Sequence, residues 1–214
     1  MNATQVLVVA KEPVPGRVKT RLCPPLDPVE AARVAEAALA DTLDAVARCG
    51  ADRRILALDG RPGPWLPPGF EVVRQVRGPL GARLAAAWRY AGGPGVQLGM
   101  DTPQVTPFLL DDALRLIVEG GPRTAVLGPA EDGGWWALGL WRWRRGVFDG
   151  VPMSTPHTGA RQAERLRSLG LTVTPLPVLR DIDTAADAVA VADAVPDSRT
   201  AGVVRALLAG AEPR

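Results

Sequence analysis

Residues 5–22 read QVLVVAKEPVPGRVKTRL and join an apolar run to a loop rich in proline and cations. The run from Gln5 to Ala10 is almost continuously aliphatic, which predicts a strand buried on both faces, as in a parallel sheet. The loop that follows carries four cations within eleven residues, Lys11, Arg17, Lys19 and Arg21. Nucleotide-binding folds hold phosphates in such a loop, at the carboxyl end of a parallel strand.

Beyond this stretch, strand patterns alternate with helical ones, and no internal repeat or low-complexity linker interrupts them. The alternation predicts an α/β fold with one domain over residues 1–214, in which a mainly parallel twisted sheet is flanked by helices. Asp27 is predicted to cap the first helix. The predicted strands are 5–10, 54–58, 70–74, 95–99, 124–127, 135–141 and 172–175, and the predicted helices are 29–48, 80–91, 106–119, 158–169, 184–194 and 199–209.

The most polar loops of the chain follow apolar strands. They are residues 11–22, 99–103 and 128–134. In doubly wound sheets, ligands bind beyond the carboxyl ends of the strands. We therefore expect these three loops to converge on one crevice.

Composition excludes several classes of protein. The 214 residues are 47% hydrophobic and 22% charged, which is typical of a globular chain. The formal net charge of +2 gives no broad basic field, so nucleic acid is not an expected partner. Cys23 and Cys49 are too few for a disulfide framework, and neither a signal peptide nor an apolar run of about 18 residues is found. We expect a cytoplasmic protein without a membrane partner.

Lysine is confined to the loop after the first strand. Only two of the 25 basic residues are lysines, Lys11 and Lys19, and arginine supplies all the others. If the segment is extended, Arg17, Lys19 and Arg21 project the same way and form a cationic clamp for a polyphosphate. The spacing is not that of a Walker A loop. The alternative is an exposed basic loop that binds nothing.

Two acidic motifs follow later strands. Asp101, in GMDTP at residues 99–103, could hold Mg²⁺ or Mn²⁺ against a diphosphate, or simply cap the next turn. In RDIDT, residues 180–184, the alternating carboxylates could place one at a metal, while Asp183 or Thr184 could instead be a helix N-cap.

A third motif, GPAEDGGWW at residues 128–136, combines acids, glycines and tryptophans. Glu131 or Asp132 could act as a general base or orient a sugar hydroxyl. The two glycines would permit close approach of the backbone to a ligand. Trp135 and its neighbours could stack on a ligand, but strand-like alternation favours packing in the core. An acidic turn between strands is the alternative for the whole motif.

Taken in order, these motifs resemble a bacterial protein family. The patterns are K-x-P-x-P-G-x-V-K-T-R-L, G-x-D-x-P, G-P-x-x-D-G-G-W-W-x-L-G-L and D-I-D-T, and residues 75–84 (QVRGPLGARL) add Q-x-x-G-x-L-G-x-R. Together they resemble DUF2064, a group of GT-A-like proteins of the nucleotide-diphospho-sugar transferase superfamily. That superfamily includes the molybdenum-cofactor and phospholactate guanylyltransferases. The resemblance extends from Val6 to about Val189.

The resemblance implies a set of site residues. The nucleotide and its phosphates would lie against Lys11, Gly16, Arg17, Lys19, Thr20, Arg21, Gly81 and Arg83. Asp101 would hold Mg²⁺ or Mn²⁺, with Asp183 as a second ligand. The acceptor or sugar would face Glu131, Asp132, Gly133, Gly134 and Trp135. The residues expected to act in catalysis are Lys19, Arg21 and Asp132.

The resemblance also implies a reaction class. A GT-A transferase would move a glycosyl group from a nucleotide-sugar to a small acceptor. Many such enzymes carry Asp-x-Asp, but here the first position is Gly99. A single acid is common among nucleotidyltransferases, so transfer from an NTP with release of pyrophosphate is the alternative. A non-catalytic nucleotide-binding protein is the second alternative.

Overall fold

The computed structural model describes residues 3–208 and builds them around one sheet. The strands are β1 (Gln5–Lys11), β2 (Arg53–Asp59), β3 (Glu71–Arg74), β4 (Gly95–Leu98), β5 (Thr124–Pro129), β6 (Trp135–Leu140) and β7 (Thr172–Pro175). The helices are α1 (Pro28–Arg48), α2 (Leu80–Ala91), α3 (Pro107–Gly120), α4 (Thr158–Ser168), α5 (Ala185–Ala194) and α6 (Arg199–Leu208), with 3₁₀ turns at Thr20–Leu22 and Gly121–Arg123.

The sheet is mainly parallel, which confirms the predicted α/β class. Its strand order is β3-β2-β1-β4-β6-β5-β7, and β6 alone runs antiparallel to its neighbours. β1 pairs in parallel with β2 on one side and β4 on the other. Its apolar sequence is needed because both of its faces are covered. β6 is reversed because the short connection 130–134 makes a hairpin with β5.

Alternating side chains of β1 point into different layers. Val6 and Val8 pack with α1 and α3 on one face, and Leu7 packs with α2 and α4 on the other. All three side chains are buried. Period-two alternation of a strand produces this division. The sheet is thus covered by helices on both faces.

A third apolar cluster joins α1, α5 and α6 and also fixes two loops. Leu22, from the loop after β1, and Ile182, from the segment after β7, are both fully buried in it. Val34 of α1 and Val191 of α5 belong to the same cluster. This packing anchors the loop after β1 beside the segment that carries Asp181 and Asp183.

The element boundaries agree with the sequence prediction to within about two residues. The predicted last residue of the final helix, position 209, lies outside the described residues, as do residues 1–2 and 210–214 of the predicted domain. Between residues 3 and 208, no helix combines the length and the apolar character that crossing a bilayer requires.

Asp27 caps α1, as predicted. Its carboxylate accepts the backbone N–H groups of Val29 (2.7 Å) and Glu30 (2.8 Å), and the Glu30 carboxylate accepts the N–H of Asp27 (2.9 Å). This capping box satisfies donors that the first helical turn cannot pair. It also sets where the loop after β1 ends.

We expect Asp27→Ala to destabilise the protein by about 1 kcal/mol, because two backbone donors lose their acceptor. For a chain of this size, this corresponds to a fall in Tm of about 2–4 °C. Glu36→Ala, on the exposed face of the same helix, is the matched control and should change stability by less than about 0.5 kcal/mol. Equal Tm values for the two variants would contradict the role of the cap.

Candidate active site

Loops from four strands meet at one edge of the sheet. β1, β4 and β5 point the same way, so their carboxyl ends lie at that edge. The segment 176–184, after β7, then runs across it. The backbone N–H groups of Leu176, Glu131 and Ile182 bond to the carbonyls of Leu127 (2.9 Å), Leu179 (3.0 Å) and Asp101 (3.1 Å). This path brings Asp181 and Asp183 beside the end of β4.

Lys19 lies at the centre of this edge. Its Nζ is 2.9 Å from Asp101 Oδ1 and 3.7 Å from Asp183 Oδ1, and it donates a hydrogen bond to the carbonyl oxygen of Ile182. Only 6% of the side chain is exposed. The backbone of Lys19 is left-handed, with φ 49° and ψ 35°. Such a conformation is uncommon outside glycine and costs conformational energy.

The predicted extended clamp is wrong. The chain turns at residues 15–18 and again in the 3₁₀ turn at 20–22, so alternate side chains do not point the same way. The physical reason is the burial of Val18 and Leu22, which needs turns rather than a strand. Lys19 points inward and Arg17 outward. Arg21 is 74% exposed but reaches Asp183 Oδ2 at 3.1 Å.

The remaining residues predicted in this loop lie on its outer side. Lys11, Gly16 and Thr20 are exposed, and Gly16 has φ 75°. The backbone N–H of Lys11 points to the sulfur of Met100 at 3.2 Å. A phosphate role for these residues stays a prediction.

Asp181 is a site residue that the sequence analysis passed over in favour of Asp183. Its Oδ1 is buried and, among the described residues, has no hydrogen-bond partner. Burial, together with the charges of Asp101 and Asp132, raises the pKa of Asp181 to about 7, and Lys19 acts in the opposite direction. The signal was present: in D-I-D the buried Ile182 alternates with two carboxylates. We call Asp101, Asp132, Asp181 and Asp183 the acid cluster.

Two members of the acid cluster pair with an ammonium group. Between residues 3 and 208, no three His, Cys, Asp or Glu side chains form a ready-made metal site. Asp101 and Asp183 both face Lys19. The two predicted metal ligands are therefore close together, as expected, but they are paired with a cation of the chain itself.

A cleft of about 480 Å³ opens beside β2, β3 and the start of α2. Gln75 fixes its floor, because its Nε2 donates to the carbonyls of Ala10 (2.7 Å) and Ala57 (2.8 Å). Its Oε1 accepts from Arg83 Nε at 2.6 Å. The guanidinium of Arg83 is thereby held 3.4 Å from Asp59. The cleft is lined by Asp59, Arg74, Gln75, Val76, Arg77, Gly78 and Arg83.

Gly81 does not line this cleft. A Cβ built at Gly81 would lie 3.6 Å from Phe148 Cβ and Met153 Cε, so this glycine faces the packing side of α2. Of the two residues predicted to border the nucleotide, only Arg83 faces the cleft. Whether Gly81 contacts a ligand through its backbone stays a prediction.

The glycines after Asp132 serve the fold. Gly133 has φ 84°, and a Cβ there would overlap the carbonyl oxygen of Pro156. Gly159, at the start of α4, donates its N–H to the Gly133 carbonyl at 2.8 Å. The chain itself therefore approaches Gly133 closely, because the hairpin packs against α4, and contact of Gly133 and Gly134 with an acceptor stays a prediction.

The acidic residues of this hairpin differ in their surroundings. The guanidinium of Arg180 donates to Glu131 Oε2, with Nε at 2.8 Å. Asp132 is exposed, and its Oδ1 accepts the N–H of Gly134 at 2.7 Å. Asp132 is thus the less engaged of the two proposed bases, and its charge reaches Asp181.

The tryptophans of this motif are mainly packing residues. Trp135 stacks on Phe148 at a centroid distance of 6.3 Å and an interplanar angle of 16°. Trp136 is buried, and its Nε1 donates to the Pro177 carbonyl at 2.9 Å. Contact of the half-buried Trp135 with an acceptor stays a prediction.

The mainly parallel sheet covered by helices on both faces is the fold of a GT-A-like α/β protein. Residues 30–155 match the family described as "Uncharacterized protein conserved in bacteria (DUF2064)", and the chain belongs to this family. Both the predicted family and the transferase class are confirmed. Among curated proteins, none matches the chain.

Solved structures show the same fold. A candidate nucleotide-diphospho-sugar transferase from Desulfovibrio desulfuricans G20 is similar over 98% of this chain and 96% of its own, with 27% identity and a TM-score of 0.86. A nucleotidyl transferase from Methanothermobacter thermautotroptrophicus (20% identity, TM-score 0.60) covers 90% of this chain and 97% of its own. A cytidylyltransferase from Leptospira borgpetersenii serovar Hardjo-bovis is similar over 97% of this chain and 94% of its own, with 14% identity and a TM-score of 0.56. These two show the fold alone.

We expect Asp181→Asn to stabilise the protein, and more at alkaline than at acid pH. The pKa of Asp181 is raised in the fold from 3.8 to about 7, so its ionisation opposes folding. This cost is absent below the unfolded value, grows as the pH rises, and is complete above about 7. The gain should be about 1–3 kcal/mol at alkaline pH.

The measurement is Tm at about pH 4 and about pH 8 without added metal. Asp193→Asn, an exposed carboxylate of α5, is the control for charge removal and should not reproduce the pH-dependent gain. If Asp181→Asn is no more stable than the unaltered chain at alkaline pH, the ionised carboxylate of Asp181 does not destabilise the fold, and the prediction is wrong.

Proposed function

We propose that this protein is a nucleotide-binding transferase that moves a glycosyl group from a nucleoside-diphosphate sugar to a small acceptor. The observation that carries the proposal is the position of Lys19 and the acid cluster at the carboxyl edge of the sheet. That edge is the ligand-binding edge of doubly wound folds. The 27% identical protein from Desulfovibrio desulfuricans G20, a candidate nucleotide-diphospho-sugar transferase, supports it over nearly the whole chain.

The cleft is proposed to take the nucleoside part of the donor. Its arginines, Arg74, Arg77 and Arg83, offer planar guanidinium donors for the base and ribose, and Arg83 is held rigidly by Gln75. A side chain fixed before binding loses less entropy when the ligand arrives. The diphosphate would then lie toward Lys19 and Arg21.

The donor set of the acid cluster suits a divalent cation. Mg²⁺ and Mn²⁺ prefer carboxylate oxygens, and the buried Oδ1 of Asp181 is unpaired in the part of the chain that the structure describes. Asp101 and Asp183 would hold the ion, with Asp181 close to them; in the described structure these carboxylates do not form a three-ligand site, because Lys19 pairs with two of them. When bound, it would neutralise charge on the phosphates of the donor.

In this reaction the protein's own residues would accept a proton and balance the charge of the leaving group. The acceptor hydroxyl attacks the anomeric carbon, the bond from that carbon to the diphosphate breaks, and the hydroxyl proton passes to Asp132. Negative charge then gathers on the leaving nucleoside diphosphate, where Lys19 and Arg21 would balance it. Fixed charges aimed at developing charge usually supply much of the rate enhancement.

Nucleotidyl transfer is the second candidate, and one observation favours it. The loop after β4 contributes a single acid, Asp101, because Gly99 occupies the position two residues before it. Asp181 and Asp183 come from a separate segment. In that reaction a phosphorylated acceptor attacks the α-phosphate of an NTP, and the same cations would stabilise the departing pyrophosphate.

The products separate the candidates. The protein is incubated with nucleotide-sugars or with NTPs, each with Mg²⁺ or Mn²⁺, and NDP and pyrophosphate are measured. Release of NDP supports glycosyl transfer, and release of pyrophosphate supports nucleotidyl transfer. Binding without either product, across all metals and acceptors tried, would mean a non-catalytic nucleotide-binding protein.

Asp101→Asn should reduce turnover at least about a hundredfold, because the proposed metal ligand loses its charge and the ion would no longer be held against the donor phosphates. Asp112→Asn, on the exposed face of α3, is the matched control and should keep full activity. If Asp101→Asn keeps normal turnover, Asp101 has no role in the reaction.

Arg83→Met should weaken nucleotide binding about tenfold, because one charge-assisted contact is lost. Arg89→Met removes an exposed charge from the other end of α2 and should bind nucleotide normally. Isothermal titration with nucleotides and nucleotide-sugars measures both. Equal affinities would exclude the cleft as the nucleotide subsite.

A further inference from the structure

We propose that Lys19 is a built-in counter-ion of the acid cluster. In the free protein its ammonium competes with divalent metal for the carboxylates, and a nucleotide phosphate draws it away. Metal and nucleotide would then bind cooperatively. The role of the nucleotide rests on the proposed function, whereas the competition with metal does not.

The first observation is the coordination of the ammonium. Lys19 Nζ contacts Asp101 Oδ1 (2.9 Å), lies near Asp183 Oδ1 (3.7 Å) and donates to the Ile182 carbonyl. An ammonium has three donors, and oxygens of the site itself surround this one. A divalent ion held by Asp101 and Asp183 would need the same carboxylates, so both cations cannot be held there at full strength.

The second observation is how the chain holds Lys19. Its neighbour Val18 and the nearby Leu22 are buried, and its own backbone is left-handed. Strained residues of this kind persist only where the surroundings fix them. The side chain, by contrast, is long and has several rotatable bonds. The backbone can therefore stay in place while the ammonium moves from carboxylate to phosphate.

The third observation is the contrast with the other cations of the loop. Arg21 contacts Asp183 from the outside and is 74% exposed, and Lys11 and Arg17 are exposed. Lys19 alone among these four is enclosed by the site. The two lysines of the chain therefore have opposite environments within one loop.

Cooperativity follows from the charges. Without nucleotide, a metal ion must displace the ammonium and leave it unpaired. With nucleotide, the phosphate oxygens accept the ammonium, and the carboxylates become free for the metal. By linkage, each ligand then raises the affinity for the other by the same factor.

The test uses Mn²⁺ alone, without nucleotide, and measures its dissociation constant by titration calorimetry or electron paramagnetic resonance. Lys19→Met should bind Mn²⁺ about tenfold more tightly than the unaltered protein, because one positive charge next to the carboxylates is removed. Lys19→Arg, which keeps the charge, should bind weakly. Arg89→Met controls for net charge and should match the unaltered protein. Equal or weaker binding by Lys19→Met, or no binding by either protein, overturns the inference.

A second measurement applies to the unaltered protein, so it stands even if Lys19→Met does not fold. Acetylation of the two lysines by acetic anhydride is followed by mass spectrometry, with Lys11 as the internal control. Saturating Mg²⁺ alone should raise the acetylation rate of Lys19 several-fold relative to Lys11. A constant ratio overturns the inference.

The two proposals fail separately. If no nucleotide or nucleotide-sugar binds to any variant, the proposed function fails, but the Mn²⁺ comparison still decides the counter-ion role. If nucleotides bind and turn over while Lys19→Met shows no gain in metal affinity, the counter-ion role fails and the proposed function stands.

Discussion

The parallel pairing of β1 with β2 and β4 is the constraint on which the site depends. Because the three strands point the same way, the loops that follow β1 and β4 leave from one edge, and Lys19 meets Asp101 there at 2.9 Å. The pairing requires apolar side chains on both faces of β1. The burial of Leu22 and Ile182 in one cluster then brings the loop after β1 against the segment that carries Asp183.

The site combines features that oppose stability. The buried Oδ1 of Asp181 has no hydrogen-bond partner among residues 3–208, and Lys19 adopts a left-handed backbone. Each of these costs free energy in the free protein. Such costs are typical of ligand sites, where groups are arranged for a charged partner rather than for the fold. The ion pairs of Lys19 offset part of the repulsion among the carboxylates, and the same pairs set the condition for binding a metal.

Much of the fold could be predicted because each element carries its own signal. The aliphatic run of β1 and the Asp27 cap are local patterns, and both were confirmed. The acidic motifs could also be found, since polar residues directly after apolar strands gather at one edge. The error at Arg17, Lys19 and Arg21 arose because alternation was interpreted as an extended segment, whereas burial of Val18 and Leu22 imposes turns.

By itself, the sequence determined the α/β class, the order of the elements, the family resemblance and the loops that carry chemistry. Only the tertiary structure decided how their side chains pair. It turned Lys19 toward Asp101, brought Asp181 near enough to Asp101 for the charge of Asp101 to raise the pKa of Asp181, and packed Gly133 against Pro156. The physical reason is that element identity follows from local pattern and propensity, whereas the direction of a loop side chain depends on packing between segments more than 80 residues apart, as between Lys19 and Asp101.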